Sequence, residues 1–210
     1  MTVMKIDVYS DIVCPWCFIG TERLARALES LGMASTARVT HQTFMLRSDT
    51  PRTGSNLHEE LRAKYGVDPR AMFERVESAA RESGIPLELS KQPLTYPTQW
   101  GHTLLRHAGA KGTQNALARA LFHAYFLEGR DIADPVELRR LAVAHGFTDE
   151  EATRLLEDPR ELELTQRESD EAHQRGIRGV PFFVFNDRFA VSGAQPESVL
   201  REAIQRAAAG

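Results

Sequence analysis

The feature that most constrains this chain is a change of structural grammar near each end. Lys5-Ile6-Asp7-Val8-Tyr9 alternates apolar with polar side chains and predicts a strand with one favoured face. Ser10 or Asp11 then turns the chain, and Pro15 suits the first position of a helix. Ile19, Leu24, Ala27, Leu28 and Leu31 follow at helical spacing until Gly32 ends the run. Ala37 to Phe44, rich in β-branched residues, predicts a second strand. This βαβ unit finds its complement only at the other end of the chain. There Phe182 to Phe185 reads as a short buried strand, Asn186-Asp187 as a two-residue hairpin turn, and Arg188 to Ser192 as a second strand. Gln195-Pro196-Glu197 then opens a closing helix to Ala208.

From Arg47 to about Arg175 the pattern is helix after helix. Asp68-Pro69 predicts an N-cap followed by proline at the first helical position. Asp134-Pro135-Val136-Glu137, Thr148-Asp149-Glu150-Glu151 and Asp158-Pro159-Arg160-Glu161 all fit capping-box spacing. Trp100, Leu104 and Leu105 line one helix face, and Leu117, Leu121, Ala124 and Tyr125 line another; Trp100, Phe122 and Tyr125 are expected in the core. Pro86 to Pro97, with three prolines, predicts a loop. Residues 1–46 and 172–210 therefore form one α/β domain, interrupted by an all-helical insertion over 47–171.

Composition narrows the function classes. With 42% hydrophobic and 26% charged residues, the 210-residue chain is an ordinary globular protein, not a low-complexity one. Lys plus Arg number 26 against 29 Asp plus Glu, a net charge of −3 that offers no basic field for nucleic acid. The longest apolar run, Val180 to Phe185, is far too short to span a bilayer. Met1-Thr2-Val3-Met4-Lys5 lacks the charged and apolar regions of a secretory leader, so a cytoplasmic location is expected.

Only two cysteines occur, Cys14 and Cys17, and both fall at the first strand-to-helix junction. A C-x-x-C beside a βαβ pattern points to thioredoxin-like redox chemistry. At a helix N-terminus, unpaired N–H groups and the helix dipole favour an anion, and such placement can lower a thiol pKa from about 8.5 to 3.5–7.5. Cys14 at the cap is the expected nucleophile. Cys17, one turn inward, is expected to be more buried and to resolve the mixed disulfide. Pro15 fixes the first helical φ, and Trp16 offers an apolar contact surface to a substrate peptide. Half a zinc site is the bland alternative, but no further cysteine exists and none of the seven histidines form an i, i+4 pair. Asp11 suits either a proton acceptor or a turn residue. His102 is expected to be a hydrogen-bonded packing residue.

The run Val8-Tyr9-Ser10-Asp11-Ile12-Val13-Cys14-Pro15-Trp16-Cys17-Phe18-Ile19-Gly20 closely resembles the DsbA-like thiol oxidoreductases of the FrnE subfamily. So do Leu121-Phe122-His123-Ala124-Tyr125-Phe126, Gly176-Ile177-Arg178-Gly179-Val180-Pro181 and Val191-Ser192-Gly193-Ala194-Gln195, in order over nearly the whole chain. The resemblance implies a DsbA-like thioredoxin fold with a helical insertion. It also implies a cis-proline turn at Val180-Pro181, whose backbone pairs with an extended substrate. Arg178 could lend positive charge near Cys14 or a glutathione carboxylate. Thr43 and Gly101 stand where relatives often carry proline and alanine.

A thiol–disulfide oxidoreductase acting on protein or small-molecule thiols and disulfides is the leading expectation. It needs no cofactor beyond its own redox-active disulfide, with glutathione as an optional co-substrate. Related dithiols span roughly −270 to −120 mV, so the direction of transfer stays open. Kappa-class glutathione transferases and chromene-carboxylate isomerases share the architecture but carry serine at the position of Cys14. A peptide-binding chaperone is the third class. Monomer and homodimer are both compatible with the sequence.

Overall fold

The computed structural model describes residues 3–209. Met1, Thr2 and Gly210, on which the N-terminal expectation and the outer domain limits 1 and 210 fall, lie outside the described residues. A four-stranded mixed sheet runs in the order β2-β1-β5-β6. β1 (Met4–Ser10) and β2 (Ala37–Thr43) pair in parallel, Ile6 opposite Val39, joined by α1 (Pro15–Ser30). β5 (Phe182–Phe185) lies antiparallel on the other side of β1, Val8 opposite Phe183, and β6 (Phe189–Ser192) folds back on β5. The hairpin turns at Asn186 and Asp187, both at positive φ (49° and 55°), as a two-residue type I′ turn requires. Helix α9 (Glu197–Ala209) packs beside α1. Between them Ile6, Val8, Phe183, Phe185, Leu200 and Ile204 form an apolar layer with Leu24 and Leu28.

The expectation that β1 favours one face needs correction. Asp7 and Tyr9 are buried as well, because Tyr9 packs with Phe44, Ala172 and Ile177 on the second face of the sheet. A central strand covered on both sides loses the alternation that an edge or one-sided strand displays.

The insertion contains α2 (Leu57–Tyr65), α3 (Arg70–Glu82), α4 (Gln99–Lys111), α5 (Gln114–Phe126), α6 (Pro135–Ala144), α7 (Asp149–Glu157) and α8 (Pro159–Gln174). It is helical apart from a two-stranded antiparallel pairing of β3 (Ser55–Asn56) with β4 (Leu94–Thr95). The proline-rich stretch 86–97 thus holds a short strand and a 3-10 turn at Leu89–Lys91. The capping signals resolve differently. Thr148 and Glu151 form the reciprocal box, whereas Asp134 and Asp158 each cap through one bond, from Val136 and Arg160 N–H. The would-be box partners are engaged elsewhere: Glu137 binds Arg140, and Glu161 binds Arg106 and His107. Asp68 accepts from the N–H of Arg70, so α3 begins after Pro69 rather than at it.

Insertion and sheet are joined by a continuous core. Cys14, Cys17, Phe18 and Ile19 belong to the same buried cluster as Leu104, Leu117, Leu121 and Phe122. Phe18 stacks on Phe122 (5.5 Å between ring centres) and on Phe126 (5.8 Å). Helix α8 carries the chain back without a break across residue 172. The insertion also touches the outer edge of β2. There the side chain of Gln114 accepts from His41 N–H (2.9 Å) and donates to the His41 carbonyl (3.0 Å).

Candidate active site

Cys14 is the N-cap of α1, with extended backbone (φ −91°, ψ 113°) and Pro15 next to it in the first turn. Its N–H donates to the Asp11 carbonyl (3.1 Å), closing a tight turn out of β1. Its own carbonyl accepts from Cys17 N–H (3.0 Å) and Phe18 N–H (3.2 Å), which starts the helix. The consequence is placement of the sulfur at the end of α1 where unpaired donors and the helix dipole favour negative charge. Strand and helix propensities on either side of residues 11–14 leave the chain little choice about where this corner falls.

The two thiols are unlike. Both are free cysteines; Cys14 retains 6% exposure and Cys17 none. Burial pushes the Cys17 thiol well above its ordinary range, and the hydrogen bond to and charge on the Cys14 sulfur push it the same way. A backbone hydrogen bond from Asp11 opposes the rise, while the Asp11 carboxylate adds to it.

Asp11 itself is fully buried, and its carboxylate is held at both oxygens. Oδ2 accepts from Leu46 N–H (2.7 Å), and Oδ1 meets Nε2 of His102 at 3.2 Å. His102 on α4 is 2% exposed. It is the hydrogen-bonded interior residue expected from the sequence, but its partner is the loop that carries the cysteines. Nothing in the sequence pairs residues 91 positions apart, so this contact was not legible there. Beside it, a Cβ built on Gly101 would lie 2.5 Å from Ile12 Cδ1, so the glycine makes room for Ile12 in the same loop.

The Val180–Pro181 peptide bond is cis. Cys14 Sγ donates to the Val180 carbonyl at 3.8 Å, and Gly193 N–H donates to the Pro181 carbonyl at 2.8 Å. Gly20 on α1 lies under this loop: a Cβ there would meet Pro181 Cγ at 2.8 Å and Phe183 Cζ at 3.1 Å. Gly20 is a site-building residue that the sequence reading passed over, although an isolated glycine inside a helical pattern is a sign of close packing.

The structure therefore brings together Cys14, Cys17, Val180 and Pro181, with Pro15 in the first turn of α1. Trp16 is partly buried against the shared core, and the guanidinium of Arg75 from α3 sits 5.5 Å from its ring centre. Arg178 is exposed and takes part in none of the hydrogen bonds or ion pairs among the described residues. Phe122 and Tyr125 are core, as expected; Trp100 is not, being partly exposed with Arg52 stacked 4.7 Å from its ring centre. A separate cleft of about 360 Å³ lies between the end of α1, β2 and the α4–α5 turn, lined by Leu28, Arg38, Thr40, Asn115 and Arg119 among others. None of its lining residues belongs to the cysteine site.

With this geometry in hand, comparison with known proteins gives a consistent picture. The family model of the DSBA-like thioredoxin domain matches residues 5–205. A probable DsbA oxidoreductase from Streptomyces coelicolor is 30% identical over 98% of this chain and 90% of its own, with a TM-score of 0.87. Two other solved structures share the fold. A 2-hydroxychromene-2-carboxylate isomerase is 19% identical over 96% of this chain and 95% of its own (TM-score 0.74). The cytosolic disulfide reductase DsbM from Pseudomonas aeruginosa, solved with GSH, is 18% identical over 98% of this chain and all of its own (TM-score 0.66). No curated protein matches the sequence significantly. Among the described residues no helix is long and apolar enough to cross a membrane.

Proposed function

Because the chain belongs to the DSBA-like thioredoxin-domain family, we propose that it is a thiol–disulfide oxidoreductase working by reversible union of Cys14 and Cys17. The observation that carries this reading is the asymmetry of the pair. Cys14 sits at the start of α1, keeps some exposure and faces the Val180 carbonyl, while Cys17 is sealed one turn inside.

In the reducing direction the Cys14 thiolate attacks one sulfur of a substrate disulfide. The substrate S–S bond breaks, its electron pair leaves with the first substrate thiolate, and a Cys14–substrate mixed disulfide forms. Cys17 then loses its proton and attacks the Cys14 sulfur. The second substrate thiol departs, and the pair is left as a disulfide, two electrons poorer. The high proton affinity of Cys17 keeps it silent in the first step, so attack falls to Cys14 alone. The backbone of half-buried Val180, preceded by exposed Arg178 and Gly179, is suited to hold an extended substrate chain beside the attacking sulfur. Run backwards, the same steps oxidise a dithiol.

The motifs around Cys14, Leu121–Phe126 and Gly176–Pro181 support a FrnE-type assignment within the family. A cytoplasmic, reducing role with protein or small disulfides as substrates is the form we favour. Its support is the fold shared with a cytosolic reductase solved with GSH; on this reading glutathione is a co-substrate. The test is dithiol-dependent reduction of insulin. Activity should vanish in Cys14→Ser, and Cys17→Ser should accumulate a mixed disulfide visible by mass spectrometry. Wild-type activity surviving in Cys14→Ser would overturn the proposal. If that variant instead turned over a small aromatic substrate with glutathione, the isomerase reading would replace it.

A further inference from the structure

The chain holds two tryptophans, and each is capped by an arginine from the insertion. Trp16 lies inside the C-x-x-C, with Arg75 over its ring. Trp100 precedes Gly101, which abuts Ile12 two residues before Cys14, and Arg52 lies over its ring. A third cation, Arg178, stands in the loop whose Val180 carbonyl faces Cys14. All three arginines are exposed and form no ion pair among the described residues. Several carboxylates on the same segments are engaged elsewhere. Arg47 binds Asp49 and Glu60, Arg175 binds Glu171, and Glu77 accepts from Leu89 N–H. Stacking on an indole holds a guanidinium in place while leaving its N–H edge free for a second partner. In a protein of net charge −3, two stacked guanidiniums on the segments that flank the C-x-x-C, with a third arginine in the loop that faces Cys14, call for an explanation other than bulk charge.

We propose that Arg52 and Arg75, with Arg178, form a cationic rim that selects disulfides carrying carboxylates beside the S–S bond. The rim acts on the reaction proposed above and rests on that reading. A substrate carboxylate docks on the guanidinium edges while its disulfide meets Cys14, and the indole rings cover the apolar stem between them. Uncharged disulfides react without this help, and cationic ones are repelled.

Three small disulfides of similar size test the rim: dithiodipropionate with two carboxylates, hydroxyethyl disulfide with no charge, and cystamine with two ammonium groups. Oxidation of the reduced pair by each is followed by quenched alkylation and mass spectrometry, in the wild type, R52Q, R75Q, the double variant and R75K. The readout is each rate relative to that of the uncharged disulfide, which cancels intrinsic changes at the cysteines. One unit charge acting over roughly 7 Å of water changes a rate about threefold, so the dithiodipropionate ratio should fall about threefold per arginine lost. The cystamine ratio should rise in the same variants, R75K, which keeps the charge but not the planar stack, should retain only part of the preference, and about 0.5 M salt should erase it. Equal ratios in the wild type and the double variant would refute the rim while leaving the redox reading intact. If none of the three disulfides oxidises the wild-type pair, the redox reading itself fails.

Discussion

Lowering the pH should reveal His41 as a built-in acid liability. The imidazole is 6% exposed on β2, with Nε2 on Asn115 Oδ1 at 3.1 Å and Nδ1 buried without a partner. Burial lowers its pKa from 6.5 to about 4; the bond to Asn115 works against the fall, and His102 nearby adds to it. Between those two values the unfolded chain binds a proton that the folded protein refuses, so stability must rise with pH across that window and fall as acid is added. The gap between 6.5 and about 4, at 1.36 kcal/mol per pH unit, amounts to roughly 3 kcal/mol, a large share of the net stability of an ordinary domain. Urea unfolding at a series of pH values under reducing conditions measures it. The unfolding free energy should drop by about 1 kcal/mol per pH unit below 6.5, and His41→Gln, which keeps a side chain able to reach Asn115, should flatten that slope. Glu137 and Glu161, held below their ordinary values chiefly by Arg140 and His107, lose their stabilising contribution only below about 4.5, so the upper part of the window isolates the histidine. An identical slope in His41→Gln would refute the reasoning.

Three further outcomes are expected. Gly20→Ala should cost about 1–3 kcal/mol and slow disulfide reduction together, because its methyl lands 2.8 Å from Pro181; a loss of stability with unaltered turnover would deny Gly20 its role under the loop. Gly101→Ala should destabilise through Ile12, and adding Ile12→Val should restore part of the loss, a coupling that a double-mutant cycle by thermal unfolding would register as non-additivity. Asp11→Asn removes a charge that raises the Cys17 thiol and should bring its titration down, read from thiolate ultraviolet absorbance; burial, the larger cause, stays, so the thiol remains above its ordinary range.

How much of this was legible beforehand depends on the range of the interaction. The βαβ and ββα ends, the Asn186-Asp187 turn and the helix starts at Pro135, Asp149 and Pro159 are local patterns, and the chain follows them. Cys14 at a helix cap follows from the same local logic. Pairings between distant segments leave no such trace. Asp11 with His102, Gln114 with His41 and Arg75 with Trp16 depend on how the insertion docks on the sheet. The β3–β4 pairing is too short for any periodicity to mark it. Gly20 and Gly101 were present as letters, but a glycine states only that a side chain is missing; which atom fills its place needs the fold.

The amide of Gln114 has a consequence for how copies of this protein meet. By offering an acceptor and a donor to His41, it occupies a slot that a neighbouring strand would otherwise use, and it shuts one margin of the sheet from inside the molecule. The opposite margin, β6, ends the sheet with no strand beyond it among the described residues. Whatever extends this sheet, whether a visiting polypeptide or a misfolded twin, can add to it from one direction only.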